Sequence, residues 1–190
     1  MARSRSFATA DVLDKAKGVF WTKGYEGASI NDLAKATGLK AGSLYNAFGD
    51  KKQLYLKSLD RYGEKEVASA IAWMNKQNCR GAEAIARFLD MIASQVASGA
   101  YKTGCFLCNA ATDQAADDVD IAARVSANIA PLRQTFLHLL QSDPRTADAS
   151  IVLADFALAN YLGMFVMIRG GADEATVRRA ISVVTAALSV

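Results

Sequence analysis

Residues 29–51, SINDLAKATGLKAGSLYNAFGDK, decide the reading of this chain. They read as two short helices around a tight turn. Ser29 precedes Asp32 by three positions, a capping-box-like start ahead of an apolar run. Ile30, Leu33 and Ala34 then keep the i, i+3, i+4 spacing of one buried helical stripe. Gly38 supplies the positive φ that ends the first helix, and Leu39 fills the corner. In the second helix Leu44 and Phe48 fall one turn apart on the inside, while the opposite side carries Lys40, Ala41, Gly42, Ser43, Tyr45 and Asn46. A helix that buries two large residues and displays small or hydrogen-bonding ones can approach another surface closely. The wall of a DNA major groove is such a surface.

Helical periodicity continues on both sides of this segment, and no strand-like alternation stands out. Val12, Leu13, Ala16, Val19 and Phe20 form the apolar face of a preceding helix that ends at Gly24. A fourth helix begins near Asp50 with Leu54, Tyr55, Leu59 and Tyr62, and the domain boundary is placed within it, giving domains 1–65 and 66–190. After a loop at 78–81, Ala82, Ile85, Ala86, Leu89 and Val96 mark another helix. Gly99 to Gly104 break it, and a shorter helix starts near Cys105. Residues 119–141 are again helical, with Pro131 expected to kink or divide that helix, and Ser142-Asp143-Pro144 is a stop.

Two apolar helices close the chain, at about 147–169 and 173–188 around Gly170-Gly171. Leu153, Phe156, Ala157, Asn160, Met164 and Ile168 define one face of the first, with Leu158, Leu162 and Phe165 partly round the side. A helix apolar on more than one side must be covered on more than one side. The same pair from a second subunit provides that cover, as a four-helix bundle about a twofold axis. Residues 151–168 are apolar enough to raise a membrane span, but Asp155, Asn160 and Gly163 favour a buried interface helix, with no membrane partner.

The composition fits a folded helical protein: 52% of residues are apolar and only two are proline. Residues 1–65 hold twelve Lys/Arg against seven Asp/Glu, a balance of +5; residues 66–190 hold ten against twelve, a balance of −2, which together make the +3 of the chain. A basic front on a near-neutral body suits a first domain that meets phosphates. The three cysteines, behind an opening MARSRSF without an apolar signal segment, imply reduced thiols in the cytoplasm.

The ordered set Gly24-Tyr25, Ser29, Gly38, Gly42, Leu44-Tyr45, Phe48 and Lys51, with IxxLAxxTGLxxGSLYxxF and DKKQLY, resembles the DNA-binding domain of the TetR family of bacterial transcriptional regulators. The resemblance implies an all-α fold: an N-terminal three-helix helix-turn-helix domain, then a helical domain for effector binding and dimerisation. It implies a homodimer through the last two helices and a near-palindromic stretch of double-stranded operator DNA as partner. Carried over position by position, Lys40 reaches phosphate or a base edge, and Ala41 and Gly42 allow close approach. Ser43 donates to phosphate or base, Tyr45 bonds phosphate, and Asn46 points into the groove. Lys51 contacts phosphate, and Ser29 touches phosphate as well as capping its helix. Ala47 stands where the family often carries an aromatic residue or histidine, which places more weight on Asn46.

Such regulators usually release the operator when a small molecule binds the helical body, so an unknown small-molecule effector is a further expected partner. Trp73, Phe88, Met91, Phe106, Phe136, His138 and Met164 are candidate lining residues, although residues of this kind are more often plain core. Gly104-Cys105-Phe106-Leu107-Cys108-Asn109 is similar to a subgroup that includes regulators responding to electrophiles and oxidants. Cys105 at a helix start is thus a candidate sensor thiol, against the plainer reading of a packed small residue. Cys105 and Cys108 form a CxxC, but His138 is the only histidine, so no metal and no cofactor is assigned. An enzyme is disfavoured, because there is no phosphate loop, nucleophile elbow or paired-histidine motif. A redox- or metal-responsive regulator and a non-sensing architectural DNA binder are the alternatives.

Overall fold

The apolar spacing seen in the sequence becomes helix throughout, and among the described residues the computed structural model contains no strand. It describes residues 2–79 and 81–188, with side chains from Thr9 onward, so the side chains of the opening MARSRSF lie outside the described residues.

The first compact unit comprises residues 1–65 together with 109–128. Helix α1 (Ala2–Gly27) is interrupted at Gly24, whose φ of 73° and ψ of 173° suit glycine. Ser29 and Asp32 form a reciprocal capping box at the start of α2 (Ile30–Thr37), and Gly38, at φ 75°, closes that helix. Helix α3 (Ala41–Phe48) follows, then α4 (Lys51–Tyr62) with Asp50 capping it through the Gln53 N–H. Helix α1 packs on α4 and α2, and α3 on α2 and α4. The core between them holds Ala16, Phe20, Leu33, Leu44, Phe48, Leu54, Tyr55 and Leu59. Each large apolar side chain there contributes on the order of 1.5–3 kcal/mol relative to exposure.

Residues 109–128 differ from the expected division, which assigned all of 66–190 to a second domain. They carry the end of α7 (Phe106–Asp113) and the start of α8 (Val119–Gln141). Polar contacts along α4 hold them to the first unit. Lys52 pairs with Asp118 at 2.9 Å and Asp120 at 2.6 Å, and Arg124 pairs with Asp60 at 2.8 Å. The two carboxylates raise the pKa of Lys52. Asn128 donates to Asp60 at 3.2 Å and lies over Gly63, where a Cβ would meet its Oδ1 at 1.8 Å.

The second unit comprises residues 66–108 and 129–190. Past α4 the helix loosens into a π-turn over Gly63–Val67 before α5 (Ala68–Asn75), and α6 (Gly81–Ser94) follows. Helix α8 is continuous through Pro131, which removes one backbone donor without dividing it. A short 3₁₀ turn, Ala147–Ala149, leads into α9 (Ser150–Arg169), and α10 (Glu174–Leu188) packs on α6 and α9. Helix α9 is long and apolar enough, by length and composition alone, to cross a bilayer. One side of it is core, through Ala154, Ala157, Tyr161, Met164, Phe165 and Ile168. The expected face is therefore rotated: Phe156 is exposed and Tyr161 is inside. The exposed side shows Val152, Phe156, Val166 and Met167, and Asp155 pairs with Arg133 at 2.5 Å.

Candidate nucleic-acid interface

Helix α3 is eight residues long, and its two faces differ sharply. Leu44 and Phe48 are buried, whereas Gly42, Ser43, Tyr45, Asn46 and Ala47 are exposed and Ala41 is half-buried. Tyr45 is 42% exposed, so its phenol is not absorbed into packing on α1. A Cβ at Gly42 would meet nothing within 4 Å, leaving the backbone there bare. Lys40 occupies the N-cap position and is exposed, without a side-chain capping bond. Asn46 and Ala47 border an open groove of about 580 Å³ whose far wall is Thr9, Ala10 and Leu13 of α1.

Two of the expected contacts carry commitments within the fold. The Ser29 hydroxyl accepts the Asp32 N–H at 3.1 Å and gives its own proton to Asp32 Oδ2 at 2.7 Å. Lys23 donates to the other oxygen of Asp32 at 2.5 Å, and these bonds hold that carboxyl down to about 2. The Ser29 hydroxyl thus both accepts and donates within the capping box. Lys51, the first residue of α4, is half-buried: its ammonium lies 4.6 Å from the Tyr25 ring centroid and 3.5 Å from the Glu26 carbonyl. The adjacent Tyr25 and Tyr55 rings are 4.9 Å apart, which makes a firm platform under that cation. Lys57, which the sequence reading passed over, donates to the Phe48 carbonyl at 3.3 Å.

In the second unit the candidate effector residues separate. Trp73 is half-buried with its ring 5.9 Å from Phe88, and Phe88 lies 5.7 Å from Tyr161. Phe136 meets the same tyrosine edge-on at 6.2 Å, and Phe165 at 5.1 Å. Tyr161 is the hub of this cluster, and burial pushes its phenol pKa up. The sequence reading missed it, although its i+4 spacing from Ala157 marks the inner face of α9. Met91 is half-buried, with its sulfur accepting from Gln95 at 3.1 Å. Met164 lines a groove of about 240 Å³ against α10 with Gly163, Val177 and Ile181. His138 is exposed on α8 and joins neither group; its place on the polar side of that helix sets it apart from Phe136.

Phe106 and both neighbouring cysteines are buried, Cys105 to 2% exposure just before α7. The Cys108 thiol donates to the Leu162 carbonyl at 3.8 Å. Its hydrogen bond with Cys105, together with burial, raises its pKa and keeps it protonated. Among the described residues no group of three His, Cys, Asp or Glu stands close enough to hold a metal ion.

Known proteins resemble this chain in sequence and in fold. Residues 12–57 match the family described as bacterial regulatory proteins, tetR family. Over 178 residues the chain is 33% identical to the HTH-type transcriptional repressor ComR of Escherichia coli, spanning 90% of this chain and 84% of that one. It is 30% identical over 169 residues to an uncharacterised HTH-type regulator, YezE, of Bacillus subtilis, spanning 85% and 84%. A TetR transcriptional regulator from Chloroflexus aurantiacus superposes with a TM-score of 0.80 at 25% identity, over 100% of this chain and 97% of that chain. The regulator CifR, solved with a 26-base-pair operator duplex, superposes with a TM-score of 0.77 at 24% identity, over 91% and 95%.

Proposed function

The chain belongs to the TetR family of bacterial transcriptional regulators, and from that premise we propose that it is a cytoplasmic, dimeric repressor that reads a near-palindromic operator through α3. It is a DNA-binding regulator and not an enzyme. One observation carries the assignment of the reading surface: α3 buries Leu44 and Phe48 and turns Gly42, Ser43, Tyr45 and Asn46 outward. Asn46 reads a base edge, with adenine as the bidentate match for its amide. Lys40, Tyr45 and Lys51 contact phosphate, Ser43 donates to phosphate or base, and Ala41 and Gly42 let the backbone approach. Lys51 reaches phosphate from its seat on Tyr25. Ser29 serves as a cap only, because its single proton is already given to Asp32.

The second subunit covers the exposed stripe of Val152, Phe156, Val166 and Met167 on α9, with Val183 on α10. A small molecule held in the second unit, near the aromatic cluster around Tyr161, shifts the dimer away from its operator-binding form. A thiol-reactive effector at Cys105 is the alternative. The burial of Cys105 and the protonated Cys108 beside it favour the packing role instead. Alkylation that releases operator DNA from the wild type but not from Cys105→Ser would reverse that choice.

The reading is tested by selecting bound duplexes from a random double-stranded pool and measuring the mass of the complex. Recovered sites should be near-palindromes bound by an even number of chains. Recovery of sequences without dyad symmetry would sink the dimeric reading of the operator.

A further inference from the structure

The C-terminal end of α3 carries a contact from a lysine of another helix. Lys57 of α4 places its ammonium 3.3 Å from the Phe48 carbonyl oxygen and 5.5 Å from the Phe48 ring centroid. Phe48 is the last residue of α3 and only 5% exposed. A helix of eight residues is marginal alone, and α3 starts without a side-chain cap at Lys40. Its final carbonyls lack partners within the helix. The Gly49 N–H returns to Tyr45 at 2.8 Å, and Lys57 takes the Phe48 oxygen. A cation at this end also meets the negative pole of the helix and the face of the Phe48 ring.

We propose that Lys57 is a positioning residue for sequence reading: it fixes the end of α3, and so the angle at which Tyr45 and Asn46 are presented, without itself binding DNA. The proposal rests on α3 being the reading helix. Lys57 differs in this from Lys51. Six residues separate them on α4, about 9 Å at the rise of an α-helix, and the Lys57 donor meets the end of α3 itself, whereas that of Lys51 meets α1. A small tilt of a short helix costs a bidentate base contact while phosphates, which accept from many directions, lose little.

The test compares wild type, Lys57→Met and Lys57→Arg on a selected operator and on random duplex across a salt series, with the thermal midpoint of each. Met keeps the apolar stem and removes the donor and charge. Losing one charge-assisted bond at the base-reading end should weaken operator binding about tenfold. Binding to random duplex should stay within about twofold with its salt slope unchanged, and Arg should recover most of the operator affinity. Equal weakening on both DNAs with the slope lower by about one unit would make Lys57 a phosphate contact and overturn the proposal. So would unchanged operator affinity, or losses on both DNAs that follow a lowered midpoint. Asn46→Ala, run alongside, separates the two claims. Sequence preference that survives Asn46→Ala overturns α3 as the reader; preference lost there but intact in Lys57→Met overturns only the role of Lys57.

Discussion

Gly63→Ala should destabilise this protein, and the same substitution beside Asn128→Ala should stabilise it. Gly63 has helical angles, φ −59° and ψ −48°, so its backbone suits alanine. With free space around it the exchange would gain up to about 1 kcal/mol from helix propensity. Space decides the sign. A Cβ on Gly63 would lie 1.8 Å from Asn128 Oδ1 and 2.8 Å from its Cγ, so the asparagine side chain must leave. It then gives up bonds to Asp60 Oδ1 at 3.2 Å and to the Arg124 carbonyl at 2.9 Å. Together these cost about 1–3 kcal/mol, with half-exposed groups in the lower part of that range. The net is a loss of up to about 1 kcal/mol with Asn128 present and a gain of up to about 1 kcal/mol in the Asn128→Ala background. For a chain of this length each kcal/mol moves the thermal midpoint by about 2–4 °C, so calorimetric melts of the four proteins resolve the two shifts. Midpoints that move in the same direction by the same amount in both backgrounds would refute the reasoning, because the cycle would then contain no coupling.

Lys51→Ala should weaken binding to operator and random DNA alike and flatten the salt slope by about one unit, read from titrations across a salt series. Asn46→Ala should instead relax preference at one base position, by about 1–3 kcal/mol in competition binding. Asp14 accepts the Arg61 guanidinium at 3.0 and 3.2 Å, and that bond above all holds its carboxyl down to about 2. A folded value below the unfolded one gives stability that is present above about pH 4 and lost as pH falls through about 2. The stability gap between wild type and Asp14→Asn should therefore close over that window in acid-titrated melts. Val166→Glu, placed on the exposed stripe of α9, should yield monomers by sedimentation with the helical content unchanged; a persistent dimer would move the interface elsewhere.

What the sequence disclosed was what neighbours along the chain decide. The capping box at Ser29 and Asp32 and the turn at Gly38 depend on residues within one turn of each other, and so does the inward pair Leu44 and Phe48. These signals placed the helices of the first unit. Contacts between distant segments left no such trace. The pairs of Lys52 with Asp120 and of Asp60 with Arg124 bridge separations of 68 and 64 residues, and nothing in an acidic run at 117–120 says which cation it meets. Helix α9 is apolar nearly all round, so its residue pattern does not separate exposed Phe156 from buried Tyr161. His138 shares a helix with Phe136, and its residue type says nothing about the direction of its side chain. Lys57 carries no signal in the sequence, since a lysine on a helix surface is ordinarily solvated.

The return of residues 109–128 to the first unit has a consequence for modularity. A DNA-reading head that ended at residue 65 could be exchanged between relatives as one cassette of coding sequence. This one cannot. Its last helical turns are borrowed from a segment encoded more than forty codons downstream, and α8 then continues into the other unit. A graft that moves 1–65 alone leaves Lys52 and Asp60 facing foreign residues, whereas one that also carries 109–128 keeps their partners. Recombination, in the laboratory or in evolution, must therefore cross this gene at more than one point to move the head intact.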